Sequence, residues 1–323
     1  MKRLLLFLVL TCFAVSSVFA ADVKMNLNAV YGQNSFHTQG AMYFADLVEE
    51  YTDGSVNITV HPGGSLGFKG PELLKAVKDA QVPMSDILMG VVAGSEHVFG
   101  TSSLPRLAPS FDEAKKLYED SKPLYKKAAA KWNQKFLYAA PWPPSGLVTK
   151  NKVETAADIK NAKIRTYDKN GANFLRELGA AGISMPWGEV YSALRTGLID
   201  GVLTSAESAK NGKFWEVLGH FNNINYAFPL NMVTINKDYW NSLSDEQQKA
   251  MLKAAAETEK HQWESSEAKT MEALQVIEEN GIVISQPNDK FSSQLDAAAK
   301  VIVKNYLEDA SKETKKLLEK YIK

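Results

Sequence analysis

The chain has 323 residues, enough for two domains at roughly 150 residues each, and its 45% hydrophobic content is that of a folded globular protein, which excludes disorder and fibre. Lysine plus arginine equals aspartate plus glutamate at 37 each. No charge excess exists to neutralise a nucleic-acid backbone or an anionic membrane, so a nucleic-acid partner is not expected.

Lys2 and Arg3 precede an uncharged apolar run from Leu4 to about Val15, and small residues follow up to Ala20-Ala21. This is the pattern of a secretory signal peptide, residues 1–20, cleaved after Ala20 or Ala21, with an apolar run too short to anchor in a bilayer. Cys12 lies inside that run behind Thr11, which is larger than the residue a lipidation site prefers. Cleavage removes Lys2, Arg3 and Cys12, leaving 35 basic against 37 acidic residues and no thiol. The exported chain is expected to fold on a large core without disulfides, and cysteine nucleophiles, iron–sulfur clusters and thiolate zinc sites go with the cysteine.

Val23–Val30 alternates as a strand, and Thr38–Tyr51 has helical spacing up to Asp53-Gly54. Val56–Val60 alternates again, a glycine-rich loop runs from Pro62 to Gly70, and Pro71 opens a helix over Glu72–Ala80. Asp86–Met89 reads as the next strand, Phe111–Gln134 as a helix and Phe136–Ala140 as a strand. Pro141-Trp142-Pro143-Pro144 then breaks the chain at an expected lobe boundary. A second α/β lobe follows: a unit through Ile159–Ile164, helices near Gly171–Leu178 and Trp187–Thr196, and a strand at Gly201–Leu203. Met232–Ile235 is a strand that could rejoin the first lobe.

From Ser244 the helical pattern runs unbroken to Glu279, opened by a Ser244/Gln247 capping box and closed by Asn280-Gly281. Its apolar residues form two groups, Met251–Ala256 and Ala268–Ile277, separated by a segment that is polar except for Trp263. One helix packing on both lobes and crossing the gap between them explains this spacing; a kink or two helices is the alternative. Ile282–Ile284 and helices over Ser292–Leu307 and Lys312–Tyr321 complete the chain. The expected division is 21–142 with 229–268 in lobe I, and 143–228 with 269–323 in lobe II.

Gly63-Gly64-Ser65-Leu66-Gly67 matches a nucleophile elbow in letters only, because Phe68, Lys69 and Gly70 intervene before any helix. The five histidines, His37, His61, His97, His220 and His261, show no metal-binding spacing, and no phosphate-binding or dinucleotide loop is present. With no catalytic constellation and no cofactor motif, the exported two-lobe chain points to a binding protein rather than an enzyme.

Asp158-Ile159-Lys160-Asn161-Ala162-Lys163-Ile164-Arg165, then Pro186-Trp187-Gly188-Glu189-Val190-Tyr191-Ser192-Ala193-Leu194-Arg195-Thr196-Gly197-Leu198-Ile199-Asp200-Gly201, resemble the DctP-type solute-binding subunits of TRAP transporters. Pro62–Gly67 resembles the same family's loop before its second helix. The resemblance covers essentially the whole mature chain. It implies the two-lobe periplasmic binding protein fold of class α/β, a long helix shared by both lobes, and a ligand cleft between them. It also implies a monomeric periplasmic protein that delivers an organic acid to a small and a large membrane permease subunit.

The resemblance further implies that Arg165 holds the ligand carboxylate. Its planar fork offers two parallel donors and stays charged when desolvated. Where some members place a second arginine this chain has Ser145. It has Phe36 beside His37 where a polar residue is common, Leu88 and Met89 where an acidic side chain can reach the ligand, and Thr204 in place of an asparagine. Trp187 stands where an aromatic residue commonly packs near the ligand. A cleft with one anion clamp and an apolar, aromatic surface suggests an aromatic or hydrophobic monocarboxylate, such as an indole or phenyl 2-oxo acid or an aromatic amino acid. The alternatives are a C4-dicarboxylate or sugar acid within the same family, and a binding protein of an ATP-driven importer or a secreted enzyme outside it.

Overall fold

A computed structural model describes residues 23–322; the expected signal peptide lies outside them. The first half contains β1 (Val23–Ala29), α1 (Phe36–Tyr51), β2 (Val56–His61), α2 (Leu73–Lys78), β3 (Met84–Leu88), α3 (Phe111–Lys131) and β4 (Gln134–Pro141). The chain then enters β5 (Ser145–Thr149), β6 (Lys163–Thr166), α4 (Lys169–Glu177), β7 (Ala181–Ser184), α5 (Val190–Arg195), β8 (Gly201–Ser205), α6 (Ala206–Asn211) and β9 (His220–Asn222). It returns through β10 (Leu230–Asn236) and α7 (Lys237–Asn241), and ends with α8 (Asp245–Glu279), β11 (Val283–Ser285), α9 (Asp289–Asp309) and α10 (Lys312–Leu318).

These strands form two sheets, ordered β2-β1-β3-β10-β4 and β11-β9-β5-β8-β6-β7. Each is the centre of one lobe. The first sheet is parallel through β2, β1 and β3, while β10 inserts antiparallel between β3 and β4. Met232–Ile235 therefore does rejoin the first lobe after the excursion into the second. β5, β7, β9, α6 and α7 carry too few residues to show a period in the sequence, and the structure supplies them.

Two segments cross between the lobes side by side, and they pair. Trp142 N–H donates to Pro229 O at 2.8 Å, Ser145 N–H to Ala227 O at 3.0 Å, and Tyr226 N–H to Ser145 O at 2.8 Å. The third crossing is α8, one continuous helix of 35 residues. Ser244 Oγ accepts from Gln247 N–H and Gln247 Oε1 from Ser244 N–H, the capping box read from the sequence. Met251, Ala254 and Ala255 pack in the core of the first sheet, and Ala273 and Ile277 in that of the second.

The polar middle of α8 holds on to lobe I. Glu259 accepts from Tyr118 Oη, from Lys122 Nζ at 2.5 Å and from Ala139 N–H at 3.1 Å. Trp263 Nε1–H donates to Ala139 O at 3.2 Å, and Ser266 Oγ–H to Pro141 O at 3.2 Å, at the start of the crossing itself.

The C-terminus departs from the expected division. α9 buries Phe291, Leu295 and Ile302 with the second sheet's core but Val303 and Tyr306 with the first. α10 lies against α3: Leu318 is fully buried in the first lobe's core, and Lys127 Nζ bonds Glu313 at 2.8 Å. Residues after about 303 thus pack on lobe I rather than lobe II, because their apolar residues meet α3 and the core beneath it.

Gly182 on β7 is required by packing. A Cβ there would stand 2.3 Å from Ala172 O and 2.9 Å from Ala172 Cα, both backbone atoms of α4. Gly182→Ala is expected to force α4 off β7 and destabilise the protein by about 1–3 kcal/mol, read as a lowered melting temperature or urea midpoint.

Candidate functional site

A cleft of about 850 Å³ lies between the lobes and takes lining residues from both. β6 runs inside the second sheet between β7 and β8, with Ile164 and Thr166 buried on either side of Arg165. Arg165 is 3% exposed and lines the cleft. Its Nε and Nη2 donate to Met185 O at 2.9 and 2.7 Å, and its guanidinium lies 6.0 Å from the centre of the Trp187 ring. One edge of the fork is therefore occupied. Nη1 makes no hydrogen bond among the described residues, so the Nη1–Nη2 end has a geometry that could take two parallel acceptors.

Burial lowers the Arg165 pKa to about 10, and Tyr31, Tyr167 and Asp168 act against that shift. The group stays cationic at neutral pH. A buried cation without an anion costs several kcal/mol, part of which the Met185 carbonyl and the Trp187 π face offset.

Of the seven other sequence-expected positions, four join Arg165 at the cleft wall and three do not. Ser145, Leu88, Trp187 and Thr204 line it, with Ser145 Oγ 3.3 Å from Tyr167 Oη. Phe36, His37 and Met89 do not line it. Phe36 and His37 form the first turn of α1, and its apolar face turns them inward; the Phe36 ring meets His37 edge-on at 5.2 Å. Met89 starts a tight turn after β3 and is fully buried in the core of the first lobe. The alternation that brings Leu88 to the cleft takes its neighbour away from it.

The cleft also has residues the sequence reading did not pick out as a site: Tyr31, Trp142, Tyr167 and Asp168. The period-two rule could have found Tyr167, two residues after Arg165. Trp142 was visible only as part of a proline-rich break. Asp168 caps α4, with Oδ1 accepting from Gly171 N–H at 2.9 Å, while Oδ2 is buried without a hydrogen-bond partner beside Gly90. Among the described residues no group of three or more His, Cys, Asp or Glu could hold a metal ion. Ser65 follows a turn in which Gly63 and Gly64 are left-handed, and α2 begins only at Leu73, so the chain there lacks the sharp strand-to-helix elbow that a serine nucleophile needs.

Three buried titratable groups surround the lobe junction. Burial raises Asp86 to about 7 and Asp168 to about 6, and lowers His37 to about 3. A carboxyl raised on folding binds more protons in the folded than in the unfolded chain between its two pKa values, so its contribution to stability falls as pH rises through that window. A histidine lowered on folding acts in the opposite sense below pH 6.5. Stability is thus expected to increase by about 0.5 kcal/mol from pH 8 to 6.5 and to go on rising toward about pH 5, because the two carboxyls together take up more protons on folding than His37 excludes. Asp86→Asn is expected to remove most of the rise between pH 8 and 6.5, measured by urea unfolding across that range.

Comparison with known proteins places this geometry in a family. A model of DctP, bacterial extracellular solute-binding protein, family 7, matches residues 27–309. An extracytoplasmic solute receptor of Bordetella pertussis that binds pyroglutamic acid is 28% identical, with a TM-score of 0.91 over 93% of this chain and 100% of the other. A marine metagenome TRAP solute-binding protein specific for pyroglutamate is 31% identical, with a TM-score of 0.90 over 93% and 99%. The C4-dicarboxylate-binding periplasmic protein of Rhodobacter capsulatus is 26% identical over 274 residues, 81% of this chain and 79% of that protein. Matched over nearly all of its described length, with two lobes about a cleft, the chain belongs to the DctP family of TRAP solute-binding proteins.

Proposed function

We propose that this chain is the periplasmic receptor of a TRAP transporter for a compact cyclic monocarboxylate of the pyroglutamate kind, with Arg165 as the carboxylate clamp. The observation that carries the reading is the buried guanidinium, held on one edge by Met185 O and open toward the cleft on its other end. A single cation in that position suits a single carboxylate. The two structural relatives that bind pyroglutamate support the ligand's size and charge.

In this reading the protein is exported, monomeric, and docks its loaded form on one small and one large permease subunit. It does no chemistry on the ligand. Closure of the lobes around the acid buries the ion pair, and the ligand's preference for the closed state supplies the free energy of closure. Thr204, Ser145 and Tyr167 offer hydroxyls to the ligand's second polar group, and Trp187 and Leu88 offer apolar surface.

A larger aromatic or hydrophobic monocarboxylate, such as an indole or phenyl 2-oxo acid or an aromatic amino acid, is the second reading. The observation that favours it is the ring surface of Tyr31, Trp142, Tyr167 and Trp187 around the same clamp. A C4-dicarboxylate or sugar acid fits less well, since each extra carboxylate or hydroxyl must find a partner or lose about 1–3 kcal/mol.

The test is a thermal-shift and calorimetric panel of pyroglutamate, indole and phenyl carboxylates, C4-dicarboxylates and sugar acids on the mature chain. A ligand at 100 times its dissociation constant adds about 2.7 kcal/mol of stability. Arg165→Ala is expected to weaken binding of the best acid by about 2–5 kcal/mol, roughly 30-fold or more, with Arg165→Lys in between because it keeps the charge and loses the fork. Full affinity for every carboxylate in Arg165→Ala would remove the clamp assignment.

A further inference from the structure

We propose that Trp142 is the wall on which the ligand's ring lies, and that Asn231, Asp86 and His37 hold it there, so that this set selects flat cyclic monocarboxylates over acyclic ones of equal charge. The proposal rests on the carboxylate reading above and adds the residues that set its selectivity.

Trp142 sits in the segment that passes from one lobe to the other, between Pro141 and Pro143, and its backbone is pinned to Pro229 O. It lines the cleft, yet it is only 6% exposed. Its indole Nε1–H donates to Asn231 Oδ1 at 2.7 Å, and Asn231 Nδ2 donates to Asp86 Oδ1 at 2.8 Å. Behind it the His37 ring lies 4.1 Å away, and Tyr31, itself a cleft residue, meets it edge-on at 4.9 Å. The indole is thus held by a hydrogen bond at its N–H and by ring contacts with His37 and Tyr31.

The composition of this chain is informative. Asn231 and Asp86 are 1% and 2% exposed, and Asp86 Oδ2 has no hydrogen-bond partner. A buried carboxyl with one open oxygen is expensive, and an apolar core under Trp142 would be more stable. A side-chain amide is the group that can accept from an indole N–H at one end and donate to a carboxyl at the other. Asp86 in turn fixes which way that amide points. The chain therefore costs stability and returns orientation, and the oriented surface is the one the ligand meets. His37, neutral in this environment, acts as a flat backing rather than as a charge. Asn231, Asp86 and His37 are positioning residues; Trp142 is the one that touches the ligand.

A fixed indole face rewards a planar ring with contact over its whole area and gives an open chain only part of it. Calorimetric titration with pyroglutamate and pyrrole-2-carboxylate against N-acetylglycine, which carries a carboxylate and an amide but no ring, separates this effect from charge and hydrogen bonding. The wild-type chain is expected to prefer the ring acids. Trp142→Ala should weaken the ring acids at least tenfold and N-acetylglycine less than threefold. Asn231→Ala should lower the ring preference about threefold or more with Arg165 intact. If Asn231→Ala does not fold, Trp142→Phe, which keeps an aromatic ring but lacks the N–H, is expected to lower the preference in the same direction. Unchanged preference in Trp142→Ala, or no ring preference in the wild type, overturns the proposal and leaves the Arg165 clamp standing. Full carboxylate affinity in Arg165→Ala overturns both.

Discussion

A buried guanidinium at the cleft, with only its Nε–Nη2 edge engaged by a protein acceptor among the described residues, is the constraint around which this molecule is arranged. Arg165 reaches the cleft because β6 is an interior strand, paired on both sides, so its side chains have only two directions to point. β7 then has to come close enough for Met185 O to meet the Nε–Nη2 edge, and this closeness is set by Gly182, over which the α4 backbone packs without room for a Cβ. The same α4 begins at Asp168, three residues after the arginine. Strand, glycine contact and helix cap are three local features that together fix one cation to within hydrogen-bond tolerance. In the proposed reading, an acid completing the fork would recover desolvation free energy that burial of the cation costs, which would make its carboxylate worth more here than on an exposed arginine.

The lobes that enclose this cation are not independent. Two crossing strands hydrogen bond to each other, so they bend as a ribbon rather than as two loose linkers. α8 adds a third connection, and its polar middle is tied to lobe I backbone at Ala139 and Pro141 through Glu259, Trp263 and Ser266. α9 adds apolar contacts to both sides. In the proposed reading these three connections would keep the two cleft walls in register as they close on the acid.

Much of this was legible in the sequence where a period was long enough to be read. The two apolar groups of α8, separated by a polar stretch, predicted a helix serving two cores, and the structure buries Met251 and Ala254 in one and Ala273 and Ile277 in the other. The return strand was legible by composition instead, since Met232-Val233-Thr234-Ile235 is a short run rich in strand-forming residues. Short elements such as β7 and β9 were not, since three or four residues carry no usable alternation. At the cleft, Arg165, Ser145, Leu88, Thr204 and Trp187 were placed by resemblance, and all five line it. Phe36, His37 and Met89 were placed by the same means and do not, because a helix's first turn and a strand's last residue each change facing within one position. Trp142 and Asp168 depend on contacts between residues far apart in the chain, Trp142 with Asn231 and Asp168 with Gly90, and a single sequence does not display such pairs.

The two walls differ in chemistry, and the difference follows from the topology. Lobe II supplies the cation, because β6 ends at the cleft and its neighbours give a carbonyl to hold it. Lobe I supplies rings, because the chain leaves β1 and β4 for the cleft at Tyr31 and Trp142, and both side chains fold back over the same buried amide and carboxyl network. A solute bound to one wall alone gains either an ion pair still open to water or a ring contact without a charge partner, each modest. In the proposed reading, closure would exclude water from the ion pair while pressing the ring to the indole, so the two gains would arrive together. The cation and the Trp187 and Tyr167 rings thus belong to lobe II while Tyr31 and Trp142 come from the lobe I side, so a solute between them would meet aromatic surface from both walls.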